Sequence, residues 1–317
     1  MRPYGRKLSP CFVLLAAGTL LAVATGALPA ADLPPSSLEV FSGTRWVTWW
    51  DSSRAPTAWM AADAAVATAV AWRPAAAGME WGELALGGTG GAWRLQVVLV
   101  RLDPARLRLE LVSASREAET LPDWSLDRLP PDAVLGVNAG QFTGGRTWGW
   151  LVRGERVEQP PGTGPLSTAF TVRCDGRVRL APVEEIPADG PGSAVEAFQS
   201  YPVLLRRDGE IPPQLATAGS GVDLAHRDAR LAIGELRDGR LLIALTRFDA
   251  VGTALGSLPF GPTVPETAAV LGALGCRQAV MLDGGVSAQL AVRDSDGVLR
   301  TWRGWRKVPL ALVAYPR

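Results

Sequence analysis

Polar and apolar residues alternate over residues 79–86, "MEWGELAL", a pattern that predicts a half-buried strand. "GGTGG" (87–91) follows as a loop and "AWRLQVVLVRL" (92–102) as a second strand, the layout of a hairpin. After a "DPAR" turn, residues 105–114 alternate again, so three runs in succession predict a meander. Three more stretches turn at Asp-Gly pairs: residues 168–183 at Asp175-Gly176, 201–210 at Asp208-Gly209 and 230–248 at Asp238-Gly239. Asp-Gly supplies the positive backbone angles of a tight turn, so each stretch predicts a hairpin. "AVLGVNAG" (133–140) predicts a short buried strand that ends in a polar loop.

Helical signals are fewer. "GPTVPETAAVLGALGC" opens with Thr263, and Glu266 three residues later completes a capping box. Pro265 falls in the first turn, where a missing N–H costs nothing, and Gly275 marks the end. The strand "QAVMLD" follows directly. A second helix is predicted over the alanine-rich residues 61–73. No internal repeat is evident. Strands dominate, so the expected class is α+β: a mixed, largely antiparallel sheet with a few packed helices.

The first thirty residues read differently. Arg2, Arg6 and Lys7 precede an apolar stretch over 11–26, and small residues follow in "TGALPAAD". This is the layout of a secretory signal peptide, with cleavage expected between Ala27 and Ala31. The rival is an uncleaved anchor, but the stretch falls short of the ~20 apolar residues that a span needs. Three segments are therefore expected: a signal peptide (1–30), a Trp- and Ala-rich lead-in (31–78) and a main domain (79–317). Trp46, Trp49, Trp50, Trp59 and Trp72 in the lead-in either pack it onto the main domain or stack on sugar rings. Aromatic clusters more often serve a core.

Composition removes several functions. Apolar residues make up 47% and charged residues 20% of 317, ordinary for a globular protein. The 32 basic and 31 acidic residues nearly cancel, and no basic block points to nucleic acid or an anionic membrane. His226 is the only histidine, and neither Cys174 nor Cys276 lies in a CxxC pair. A zinc site of the usual Cys/His kind is excluded by that count, and so is a Ser-His-Asp triad without His226. No cofactor is expected; a divalent cation is left open, though nothing in the sequence indicates one. Export would permit a disulfide between the two cysteines, while isolated cysteines more often act as small buried hydrophobes.

Candidate chemistry lies at three strand ends: "VNAGQF" (137–142), "HRDARLAIG" (226–234) and "LDGGVSAQ" (282–289). Polar groups at strand ends are a common way to build a pocket on a rigid sheet. Singly, each has a plain structural alternative. Asp283 can cap a turn, Arg230 can lie at the surface, and His226 can face solvent from a loop. Asp249 and Glu235 are the candidates for a second carboxylate, and spacing does not choose between them.

Together and in this order the motifs resemble the phosphodiester glycosidase family. The matching residues are Asn138-Ala139-Gly140-Gln141-Phe142, Arg230-Leu231-Ala232-Ile233-Gly234, the capped helix, and Leu282-Asp283-Gly284-Gly285-Val286-Ser287. The resemblance spans roughly residues 79–316. Leu231 stands where the family has threonine, Val286 where it has a third glycine, and Gln141 where it has an aromatic residue.

The resemblance implies hydrolysis of a sugar-1-phosphodiester. Such a reaction expels a phosphate monoester, a good leaving group. It needs a cation for the phosphate and an acid or base near the anomeric carbon, with less call for the paired carboxylates of ordinary glycosidases. Arg230 suits the first role because its planar fork grips phosphate in two bonds. Asp283 suits the second as nucleophile, base or charge stabiliser. Asn138, Gly140, Gln141, His226, Gly284, Gly285 and Ser287 complete the expected site, the glycines through backbone N–H groups brought close to the substrate. The expected protein is an exported hydrolase whose partner is an envelope or extracellular glycan, with no stable membrane insertion after cleavage. The alternatives are a glycan hydrolase acting on another bond, and a non-catalytic carbohydrate-binding or envelope-associated protein.

Overall fold

The computed structural model describes residues 35–76, 78–113, 124–186, 194–217, 219, 221–248 and 258–317. They belong to one compact unit, Asp32–Arg317. The expected signal peptide and Asp249 lie outside the described residues. Among the described residues, no helix is long and apolar enough to cross a membrane.

Nine strands form the largest sheet. Across it run β15 (Val203–Leu205), β18 (Cys276–Met281), β16 (Leu231–Leu236), β17 (Leu241–Phe248), β5 (Trp93–Leu102), β4 (Met79–Gly88), β1 (Ser37–Phe41) and β2 (Trp46–Asp51), with β3 (Arg73–Pro74) paired to β4. A second sheet orders β11 (Arg156–Gln159), β10 (Leu151–Arg153), β14 (Ala194–Ser200), β12 (Thr168–Arg173) and β13 (Val178–Pro182). A third orders β20 (Leu299–Trp302), β19 (Leu290–Arg293), β7 (Leu135–Asn138), β21 (Leu310–Pro316) and β6 (Leu107–Ser113). β8 (Gln141–Thr143) and β9 (Arg146–Trp148) form a separate hairpin. Every strand pairing among the described residues is antiparallel.

The largely antiparallel expectation therefore holds, and the mixed α+β class gives way to a β-rich fold. Two α-helices are described, α1 (Ala64–Ala69) and α2 (Val264–Ala273). Short turns join consecutive strands such as β4 and β5, β12 and β13, and β16 and β17, and antiparallel pairs need no helical crossover. The capping box of α2 is present as expected: Glu266 N donates to Thr263 Oγ1 at 3.3 Å and Thr263 N donates to Glu266 Oε2 at 2.9 Å. Gly275 ends the segment at φ +93°. α1 is shorter than the predicted 61–73, because Asp63 caps Ala65 and Val66 and the helix stops at Ala69 before an extended Val70.

The large sheet is buried on both faces. Val98, Val100, Ile233, Ile243 and Val280 face one core against the smaller sheets. Val97, Leu99, Ala232, Leu242 and Ala279 face a second core that holds α2 and Trp50. That two-sided burial explains the nearly unbroken apolar runs of β16 and β17. The lead-in belongs to this sheet: β1 pairs with β4, and Trp50 is 7% exposed in the second core.

The hairpins at Asp175-Gly176 and Asp238-Gly239 form as predicted, as does the β4–β5 hairpin. Two expectations fail. The meander breaks after β5, since β6 pairs with β21 in the third sheet. Alternation fixes which face a strand buries and leaves its partner open. Residues 201–210 make the turn at Asp208 and Gly209, both with positive φ, but no hairpin. β15 pairs with β18, and the other arm bridges Ala58 through Glu210. Cys174 is exposed, Cys276 is buried, and both are free thiols.

Candidate active site

β7, β16 and β18 deliver the three motifs to one place. β18 lies in the large sheet and β19 in the third, so residues 282–289 cross between them. Main-chain bonds fix the crossing: Leu282 N donates to Leu231 O at 2.8 Å, Asp283 N to Gly140 O at 2.9 Å and Gly285 N to Ala229 O at 2.7 Å. Asn138, fully buried at the end of β7, donates from Nδ2 to Asp283 O at 2.8 Å and accepts from Gln289 N at 3.0 Å. Its amide is thus occupied in shaping the 283–289 loop.

Asp283 is a largely buried ionisable group within this arrangement. Burial pushes its carboxyl up to about 6, and the nearby negative charge of Asp228 adds to the rise. A hydrogen bond from the Ser287 hydroxyl and the positive charge of Arg306 act the other way. A carboxyl at this level exchanges protons near neutral pH, which suits acid–base work.

The glycines are required by packing. A Cβ on Gly284 would lie 2.5 Å from Ala229 O. A Cβ on Gly285, at φ +56°, would lie 2.8 Å from Asp228 Oδ2. They make room for the 228–230 segment and the Asp228 carboxylate. The Gly285 N–H is taken by Ala229 O and is not offered to a ligand.

Arg230 is 8% exposed. Its Nε donates to Pro262 O at 2.9 Å and its Nη2 to His226 O, so part of the fork binds main chain. Burial lowers its pKa, while Asp228, Asp223 and Glu266 hold it up. His226 is exposed, with Nε2 at 3.6 Å from Asp228 Oδ2. Its loop is anchored by Arg227, whose guanidinium makes a two-bond fork with Glu266 at 2.7 and 2.8 Å. Gln141 donates to Tyr201 O at 2.8 Å, and Gly140 takes φ +76° while receiving the Asp283 N–H.

Three residues escaped the sequence. Asp228 sits within "HRDARLAIG" with nothing periodic to flag it. Arg306 lies outside every motif, and its N–H donates to Val286 O at 3.1 Å. Arg247 is 7% exposed and donates to Ala288 O at 3.1 Å and Arg303 O at 2.9 Å, and burial brings its pKa down to about 10. It ties the 286–288 loop to the 303–306 loop. Glu235, a candidate second carboxylate, instead accepts from Arg277 Nε at 3.2 Å on the β16 side of the sheet. Leu231, where the family has threonine, is fully buried in the core and does not line the site.

A buried carboxylate, Asp283, thus stands at a strand end beside Asn138 and two glycines, on a β-rich scaffold of antiparallel sheets. The family model for phosphodiester glycosidases matches residues 131–315, and the chain belongs to that family. Solved structures that share the fold include the following three. The catalytic domain of zebrafish N-acetylglucosamine-1-phosphodiester alpha-N-acetylglucosaminidase, auto-inhibited by its pro-peptide, is 17% identical with a TM-score of 0.58, over 78% of this chain and 89% of that one. A hypothetical protein from Synechocystis is 14% identical with a TM-score of 0.56, over 88% of this chain and 68% of that one. A candidate exported protein from Burkholderia pseudomallei K96243 is 16% identical with a TM-score of 0.52, over 74% and 77%. No curated protein matches the chain.

Proposed function

We propose that this protein hydrolyses a sugar-1-phosphodiester, breaking the bond between the anomeric carbon and the phosphate oxygen. The observation that carries the proposal is Asp283: its carboxyl, raised to about 6 by burial, lies in the family-matched region beside Ser287 and Arg306. Asp283 acts as the base that takes a proton from the attacking water. Phosphate departs as a monoester and needs no strong acid. Arg306 supplies the cation for the phosphate, since Arg230 already spends two donor nitrogens on main-chain carbonyls. The substrate is a glycan or sugar phosphate of the envelope or the extracellular space. Export is supported by the basic, apolar and small-residue order of the N-terminus, and by the likeness to a candidate exported protein.

The test is release of free reducing sugar from methyl esters of N-acetylglucosamine 1-phosphate and glucose 1-phosphate. Asp283→Asn should lower kcat by at least ~10²-fold with the fold intact. The wild-type rate should rise with pH through about 6, as Asp283 ionises. Binding of these esters without release of sugar, in wild-type protein, would favour a carbohydrate-binding role instead.

A further inference from the structure

Asp283 has other carboxylates around it: Asp228 bears on it directly, and Asp223 and Glu266 bear with Asp228 on Arg230. Its neighbouring carboxylates are mostly committed. Asp223 accepts from Ala225 N and His226 N at 3.1 Å each. Glu266 takes the Arg227 fork and caps α2. Glu235 takes Arg277. Asp228 is different. Its Oδ1 accepts the Ala229 N–H at 2.8 Å, and among the described residues its ion-pair partner is the exposed His226 at 3.6 Å. Its other oxygen fills the space that a Gly285 side chain would need.

Two carboxylates, Asp228 and Asp283, therefore flank the same pair of glycines, close enough for the charge of one to bear on the other. Like charges held together cost stability, and folds keep such pairs where chemistry uses both. Arg306 bears on Asp283 and the charge of Arg230 bears on Asp228, although the Arg230 and Arg227 guanidinium groups hydrogen-bond to Pro262, His226 and Glu266.

Resting on the sugar-phosphodiester reading, we propose that Asp228 is a second catalytic carboxylate, the anion that meets the positive charge developing on the anomeric carbon. The bond from the anomeric carbon to the phosphate oxygen breaks, and its electron pair leaves with the phosphate monoester. Water oxygen bonds to the anomeric carbon, and one water proton passes to Asp283. Asp228 forms no bond in the step. His226 borders it on the solvent side.

The experiment is a set of pH–rate profiles with the two methyl esters above, on wild type and on Asp228→Asn, Asp283→Asn and, as a control, Glu235→Gln. Asp228→Asn should lower kcat by at least ~10²-fold with little change in KM. Its residual activity should show an acidic limb somewhat below pH 6, because burial still raises Asp283 but the added charge of Asp228 is gone. The limb moves in either role, so the decision lies with kcat: a purely structural Asp228 would lower the melting point and leave kcat per folded molecule intact. Asp228→Ala, at a half-buried position, repeats the measurement if the Asn variant melts early. If Asp228→Asn keeps kcat within about threefold while Asp283→Asn is inactive, the assignment is overturned and the proposed function stands. If wild type releases no sugar from either ester, the proposed function fails and Asp228 falls with it.

Discussion

The side chain of Asn138 holds both ends of the loop that carries Asp283, donating to the Asp283 carbonyl at 2.8 Å and accepting the Gln289 N–H at 3.0 Å. Asn138→Ala leaves two buried groups unpaired and should cost about 2–4 kcal/mol, read from denaturant midpoints. Asn138→Asp keeps the acceptor for Gln289 but sets a second oxygen against the Asp283 carbonyl. It should lose activity as fully as the alanine variant.

Arg306 and Arg230 should separate by type of effect. Arg306→Ala should raise KM for the methyl esters by about 10–100-fold, the scale of a lost hydrogen bond to a charged group. Arg306→Lys should recover part of that, since a point charge replaces the fork incompletely. Arg230→Ala removes the bonds to Pro262 and His226 and should show first as a lower Tm. A large KM change with unaltered Tm in Arg230→Ala would return the phosphate to Arg230.

Gly284→Ala places a methyl group 2.5 Å from the Ala229 carbonyl, which is main chain and cannot swing aside. The expected loss is about 1–3 kcal/mol, the usual cost of overpacking. Thermal unfolding of the purified variant decides it, and an unchanged Tm would mean that the 228–230 segment yields easily.

Glu196 gives a prediction far from the site. It is 4% exposed and accepts from Leu111 N at 3.3 Å and Gly154 N at 3.1 Å. Burial raises its pKa from 4.5 to about 7, against those two bonds and Arg153. The folded state thus keeps a proton that the unfolded chain releases between pH 4.5 and 7. The stability this gives is full below pH 4.5 and is lost as pH rises to about 7. Glu196→Gln does not titrate, so its stability relative to wild type should climb over that window, by at most about 3 kcal/mol. Parallel melts at pH 4.5, 6 and 8 check the slope.

What the sequence discloses follows the range of the forces involved. The turns at Asp175-Gly176 and Asp238-Gly239 and the cap at Thr263 and Glu266 are set by neighbours in the chain, and they form as read. The pairing of β6 with β21 joins residues some two hundred positions apart, and alternation alone cannot choose that partner. The same limit hides part of the site. Asp283 stands out because an apolar run stops at it. Asp228 gains its meaning from Gly285, and Arg306 from its nearness to Asp283. Neither relation leaves a local trace.

The crossing of residues 282–289 from one sheet to another makes the candidate active site a stitch in the fold. The same eight residues hold the sheets together and carry Asp283 and Ser287. Few substitutions there can adjust what the protein accepts without loosening the seam. Freedom to change substrate falls instead to pieces that rest against the stitch from outside. One is the 303–306 loop, with Trp305 58% exposed and bonded through its N–H to Val286 O at 2.8 Å. The other is the β8–β9 hairpin, whose Trp148 meets Tyr201 edge-on at 5.4 Å. On the sugar-phosphodiester reading proposed above, the reaction is inherited with the seam and the choice of sugar is tailored at its border.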